Sequence, residues 1–189
     1  MFTFGLVVEG NDDEAAIPEL IRRIREDECE IIVRRARNAP QLMKNMGSLL
    51  RTFKHAKQGG PVDKAIVIRD ADRKDPRVLV RGLKNRITRD VLSLFTVRTC
   101  VIVNALEAWL LVDEGAISRA CEQRSGHRVQ PVHEDIEKIL HPKERLFQLL
   151  GKVVYTSQVA REIAQHADLE RIKTRCPTFL KFEQAVLDC

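Results

Sequence analysis

An α/β fold is predicted: an open, mostly parallel four-stranded sheet flanked by helices, with a C-terminal helical extension. Three observations predict it. Short apolar runs alternate with amphipathic stretches through the first 114 residues, the pattern of a parallel sheet with right-handed crossovers. The runs are rich in β-branched residues and are bounded by polar or Gly/Pro turns. Beyond that point only helical periodicity continues. Residues 1–114 are therefore expected as the α/β core and residues 115–189 as a helical extension packed on it.

Residues 4–8 form an apolar run and read as a buried first strand. Residues 11–14 read as a polar turn. Ile17, Leu20, Ile21 and Ile24 then recur at helical spacing to about Arg25. Asp12 or Asp13 is placed to cap this helix, and Pro18 falls near its first turn, where proline is tolerated. A second strand at 30–33 runs into Arg34, Arg35 and Arg37. A second helix carries Leu42, Met46, Leu49, Leu50 and Phe53 on one stripe and closes in a loop at 58–61. The third strand, 64–68, runs directly into Arg69-Asp70-Ala71-Asp72-Arg73-Lys74-Asp75-Pro76. A helix from about 76 to 89 follows, with Val78, Leu79, Leu83 and Ile87 on its apolar side. Residues 97–103 form the fourth strand, and 104–113 a short helix. In the extension, helical segments are expected at 117–122, 134–140, 143–150, 158–167 and 179–187.

The 189 residues fit one domain, or one with a small appended subdomain, and suffice to bury a core. Hydrophobic residues make up 44% and charged residues 31%, as in ordinary globular proteins. Net charge is +5, a mild excess that leans only slightly towards a polyanionic partner. The five cysteines are odd in number and lack C-x-x-C spacing, which fits reduced thiols and no zinc site. The N-terminus has neither a basic n-region nor a cleavage site, and no apolar run approaches the roughly 20 residues of a membrane span. A cytoplasmic location is expected.

In an open parallel sheet, ligands gather beyond the carboxyl ends of the strands. Glu9 and Gly10 end the first strand, Asp70 and Asp72 the third, and Glu107 lies just past the fourth. The strand assignments thus place these acids on one rim. Hard oxygen donors of this kind suit Mg²⁺ or Mn²⁺. Asp12 and Asp13 serve either as helix caps or, for one of them, as a secondary metal ligand. Two like charges in Asp70-Ala71-Asp72 repel unless a cation compensates, and Arg69, Arg73 or Lys74 could also do so. Gly10 serves the turn or lets backbone approach a phosphate.

The segment from Val8-Glu9-Gly10 to Asp13, followed by the strand that ends in Asp70-Ala71-Asp72, resembles the Toprim domain. More closely, the chain resembles the stand-alone Toprim-like proteins of the DUF4276 family. The features that carry this likeness are the Glu-Gly-x-x-Asp start, the Arg-Asp-Ala-Asp turn, the Leu106-Glu107-Ala-Trp-Leu-Leu segment ending at Asp113, the Pro142-Lys143 pair and the late Arg175-Cys176-Pro177-Thr178-Phe179 element. Asp12 departs from the Ser or Thr common there. The resemblance implies Mg²⁺-dependent phosphodiester chemistry of the kind found in topoisomerases, primases and overcoming-lysogenization-type nucleases. It casts Glu9 as general acid/base or metal ligand, and Asp70 and Asp72 as metal ligands. Glu107 would complete a second metal position, or simply favour a helix N-terminus. It also implies a nucleic-acid substrate, DNA ahead of RNA, a role in phage defence or DNA maintenance, and sometimes a separate ATPase partner. The chain itself has no G-x-x-x-x-G-K-[ST] loop.

Phosphate contacts are expected from Arg34, Arg35 and Arg37 after the second strand, Arg73 and Lys74 after the third, and Lys143. Trp109 reads as core. None of the scattered histidines stands out as a catalyst. The competing function is a non-catalytic module that binds nucleic acid or an ATPase. A receiver-like pocket would need a lysine where Val103 is followed by Asn104, and a haloacid-type phosphatase would carry its Asp-x-Asp after the first strand.

Overall fold

A computed structural model describes residues 1–57, 60–126 and 128–188. Gln58 and Gly59 of the expected 58–61 loop, His127 and Cys189 lie outside the described residues. The strands are β1 (Phe2–Val8), β2 (Cys29–Arg35), β3 (Lys64–Asp70) and β4 (Thr96–Ile102). They form one sheet in the order β2-β1-β3-β4, parallel throughout. The helices are α1 (Asn11–Arg25), α2 (Ala39–Arg51), α3 (Pro76–Lys84), α4 (Arg89–Leu92), α5 (Glu107–Leu110), α6 (Glu114–Ser125), α7 (Pro142–Leu150), α8 (Ser157–His166), α9 (Leu169–Arg175) and α10 (Pro177–Leu187).

Strand alternation divides the core into two layers. Phe4, Leu6, Val8, Ile66 and Ile68 face α1 and the C-terminal helices, in a cluster that reaches Phe182 and Val186. Val7, Ala65 and Val67 face the other way, onto Leu42, Met46, Leu50 and Phe53 from α2 and the turn after it. Both faces of a parallel sheet must be covered, which explains why its strands read as continuous apolar runs. Gly5 is the one strand position where a side chain is excluded. A Cβ there would meet the Phe53 ring at 2.7 Å.

Several expected boundaries shift, each for a local reason. The presumed polar turn at 11–14 is already the first turn of α1. Asp13 does act as a cap, accepting the Gly10 N–H at 2.8 Å. Strand β2 continues through Arg35, so Arg34 and Arg35 lie within it rather than after it. The helix expected over 76–89 breaks after Lys84. Asn85, Arg86 and Ile87 close it with tight turns, and Thr88 is extended before α4. The segment 134–140 holds only a 3₁₀ turn, Ile136–Lys138. Helix α9 had no sequence expectation; the Asp168 carboxylate caps it by accepting the Arg171 N–H. Among the described residues no helix is long and apolar enough to cross a membrane.

Candidate functional site

The strand order reverses between β1 and β3, and the carboxyl ends of these central strands open into a cleft of about 590 Å³. Such a switch point is where an open parallel sheet leaves room for a ligand. Glu9 is the first residue beyond β1, and Asp13 sits one helical turn on. Asp70 is the last residue of β3. The Ala71 N–H donates to the Ile102 carbonyl (2.9 Å) and the Asp72 N–H to that of Asn104 (3.0 Å), so the Asp70–Asp72 turn is tied to the end of β4. Glu107, buried at the start of α5, enters from the far side. Asn104 in turn donates to the carbonyls of Glu137 (3.1 Å) and Ile139 (2.8 Å), which holds the segment before α7 over the cleft.

Backbone strain is concentrated here. Arg37, Asp72, Arg73 and Asn104 all have φ between 47° and 80°, and all four line the cleft. Left-handed backbone is costly for residues other than glycine and tends to gather at functional sites.

Seven carboxylates line this one cleft: Glu9, Asp12, Asp13, Asp70, Asp72, Glu107 and Glu144. Their electrostatics are unfavourable. Burial drives the Asp70 carboxyl well above the usual range, and the charges of Asp13, Glu107, Glu9 and Asp72 add to the shift. Burial raises Glu9 to about 7 against the opposing pull of Arg69. Burial also raises Asp13 to about 6, although its bond from the Gly10 N–H pulls the other way. Compensation is partial. Arg69 Nε stands 3.4 Å from Glu9 Oε1 without forming a hydrogen bond. Lys143 Nζ lies 2.8 Å from Asp12 and 3.4 Å from Glu107. Glu9 Oε1 and Asp70 Oδ1 remain buried without a hydrogen-bond partner.

Buried polar atoms normally find partners, so these two carboxylate oxygens call for an explanation. A divalent cation would supply it, because it removes both the repulsion and the orphaned acceptors. The donor set is all oxygen, with no thiolate and only His141 nearby, as Mg²⁺ or Mn²⁺ prefers. Among the described residues no three of these side chains yet close on a common point at ligand distance. The residues fit such an ion in the chemistry of their donors.

Of the residues singled out in the sequence, Glu9, Gly10, Asp13, Asp70, Asp72, Glu107, Arg37, Arg73 and Lys143 all line the cleft. Arg34, Arg35 and Lys74 do not. Arg34 lays its guanidinium over the Phe53 ring and donates to Thr52, and Arg35 pairs with Glu14 at 3.3 Å. Trp109 is fully buried between Phe179 and Phe182, and its Nε1 donates to Thr178. The sequence did not point to Asn104 or His141, nor to the pairing of Asp12 with Lys143 and Ser157. The only sequence signal for His141 is that it precedes the Pro142-Lys143 pair. In the fold it lies against Arg73, with Nη2 2.9 Å from its Nδ1.

No curated protein matches the sequence. Among solved structures, the C-terminal region of the Xanthomonas campestris pv. campestris OLD protein is similar at 14% identity over 97% of this chain and 93% of that one, with a TM-score of 0.45. The family model described as "Domain of unknown function (DUF4276)" matches residues 8–187. With nearly its whole length matched, the chain belongs to the DUF4276 family.

Proposed function

We propose that this chain is a Toprim-type, Mg²⁺- or Mn²⁺-dependent protein that cleaves phosphodiesters in nucleic acid. One observation supports this reading: Glu9, just past β1, and Asp70 and Asp72, at and just past the end of β3, line one cleft at the switch point, with buried oxygens of Glu9 and Asp70 left unpartnered. Glu9, Asp70 and Asp72 would hold the ion, with Asp13 and Glu107 in reach of the same cleft. When bound, the ion would neutralise the clustered acids and stabilise charge on the phosphodiester oxygens. Arg37 and Arg73 at the lip are placed to orient a phosphate. Lys143 pairs with both Asp12 and Glu107 and offsets part of their charge. Alternatively to ligating the ion, Glu9, whose carboxyl burial raises to about 7 in the metal-free site, would take and return a proton.

The test is incubation of purified protein with supercoiled, linear and single-stranded DNA and with RNA, in Mg²⁺ or Mn²⁺. Cleavage is expected, and Glu9→Gln or Asp70→Asn should reduce it by ~100-fold or more. Cleavage that survives both substitutions, or is unaffected by EDTA, would refute the assignment. Binding without cleavage in the native protein would instead favour a non-catalytic nucleic-acid module.

A further inference from the structure

The charge of this chain is unevenly distributed. Residues 34–98 carry 17 Lys and Arg against 5 Asp and Glu, a net +12. The whole chain is only +5, so the remainder is net −7. Most of the excess coats the α2, α3 and α4 face of the sheet. The acids on that face are already engaged: Asp90 by Arg51, Asp63 by Lys57, and Asp75 by the Arg77 backbone N–H. Asp70 and Asp72 point into the cleft.

Helix α3 leaves from the lip of that cleft, three residues after Arg73. Arg77, Arg81 and Lys84 recur at i, i+4 and i+7, so they form one stripe along it, and all three are exposed. Arg86 extends the stripe, donating to the carbonyls of Met43 and Gly82 where α2 and α3 abut. Two basic residues near the C-terminus of a helix are favoured by its dipole, which alone would explain Arg81 and Lys84. Arg77 sits in the first turn, where the dipole opposes a cation, and the N-cap carboxylate of Asp75 is taken up by the Arg77 backbone N–H rather than by its guanidinium. A partner that rewards the charge accounts for its position.

We infer that Arg73 at the lip and the stripe Arg77, Arg81 and Lys84 on α3, continued by Arg86, form a track for the sugar–phosphate backbone of a nucleic acid entering the acidic cleft. The choice of occupant rests on the phosphodiester reading of that cleft. The dimensions agree. From Arg77 to Lys84 the helix rises about 10 Å, the axial length of about three nucleotides of one strand. Four of the five residues are arginines, whose planar forks pair with phosphate. A membrane surface fits poorly, because beside the stripe the only well-exposed large apolar residue of α3 is Val78. The division of labour is electrostatically coherent. The basic track holds the backbone that the acids of the cleft would otherwise repel.

The experiment is fluorescence anisotropy with a labelled 20-base-pair duplex, in EDTA and again in Ca²⁺, over a salt series. Arg77→Gln/Arg81→Gln/Lys84→Gln should lower the slope of log K against log salt by about 2 to 3 and weaken binding at 0.1 M salt by on the order of 100-fold. Arg77→Lys/Arg81→Lys, which keeps the charge, should retain the slope and shows whether the helix tolerates substitution. Lys152→Gln, in the turn after α7, should change neither quantity. The track is disproved if the triple variant binds with the native slope, if the native chain ignores the duplex, or if it prefers phosphatidylserine vesicles to DNA. Failure of the cleft reading looks different: a native chain that binds through the stripe yet never cuts. Cutting of DNA with an unchanged slope in the triple variant would sink the track and leave the cleft standing.

Discussion

At Asp70 the chain accepts a local penalty. Its carboxylate ends a central strand, one oxygen lacks a hydrogen-bond partner, and four other acids raise its pKa. Asp70→Asn removes the charge with little change of shape. In the absence of metal at pH 8 the variant should therefore melt higher than the native protein, by about 2–8 °C, the shift expected for one to two kcal/mol in a chain of this size. Differential scanning fluorimetry in EDTA would read it. Equal or lower melting would show that the site is not electrostatically strained. With Mn²⁺ added the order should reverse, since the native site gains a ligand and the variant loses much of it.

Among the elements, the attachment of α10 depends on one buried lysine. Lys64 opens β3, yet its Nζ reaches the carbonyls of Ala185, Val186 and Asp188 at the end of α10. The last carbonyls of a helix have no partners within it, and a cation there also meets the negative end of the dipole. Lys64→Met keeps the apolar length and removes the donor. It should cost about 1–3 kcal/mol by chemical denaturation and speed amide exchange in the last turn of α10. Unchanged exchange there would mean that packing of Phe182 and Val186 alone holds the helix. The same reasoning explains why α10 covers β4 although its own sequence indicates only an amphipathic helix.

For the molecule as a whole, the cleft acids make stability depend on pH and on metal. Glu9 and Asp13 have folded pKa values of about 7 and about 6, above the ordinary values of 4.5 and 3.8. Between the ordinary and the folded values, the native state binds more protons than the unfolded one. Their contribution is thus present below about pH 4 and lost as pH rises through 6 to 7. Metal-free protein should lose stability across pH 5 to 7.5, and Glu9→Gln should flatten that slope. Saturating Mn²⁺ at pH 7.5 should restore stability, by about 2.7 kcal/mol at a hundred times its Kd. A melting temperature that is flat with pH and indifferent to Mn²⁺ would argue against the acidic cluster as a cation site.

What the sequence determined by itself is the part encoded by short-range periodicity. The apolar runs at 64–68 and 97–103 and the helical stripe of Ile17, Leu20, Ile21 and Ile24 follow from side chains within a few positions of each other, and so does the placing of Glu9, Asp70 and Asp72 at strand ends. Tertiary structure decided which of the remaining residues share that rim. Arg34 and Arg37 are three positions apart, yet the first lies on Phe53 and the second lines the cleft, because β2 runs two residues further than its apolar run shows. Asp12 meets Lys143 across 131 positions, and Asn104 holds the segment bearing His141, through contacts that no local pattern records. A strand or helix is specified by its neighbours in sequence. A site is specified by register and by which loops the packed layers bring together, and those depend on the whole core at once.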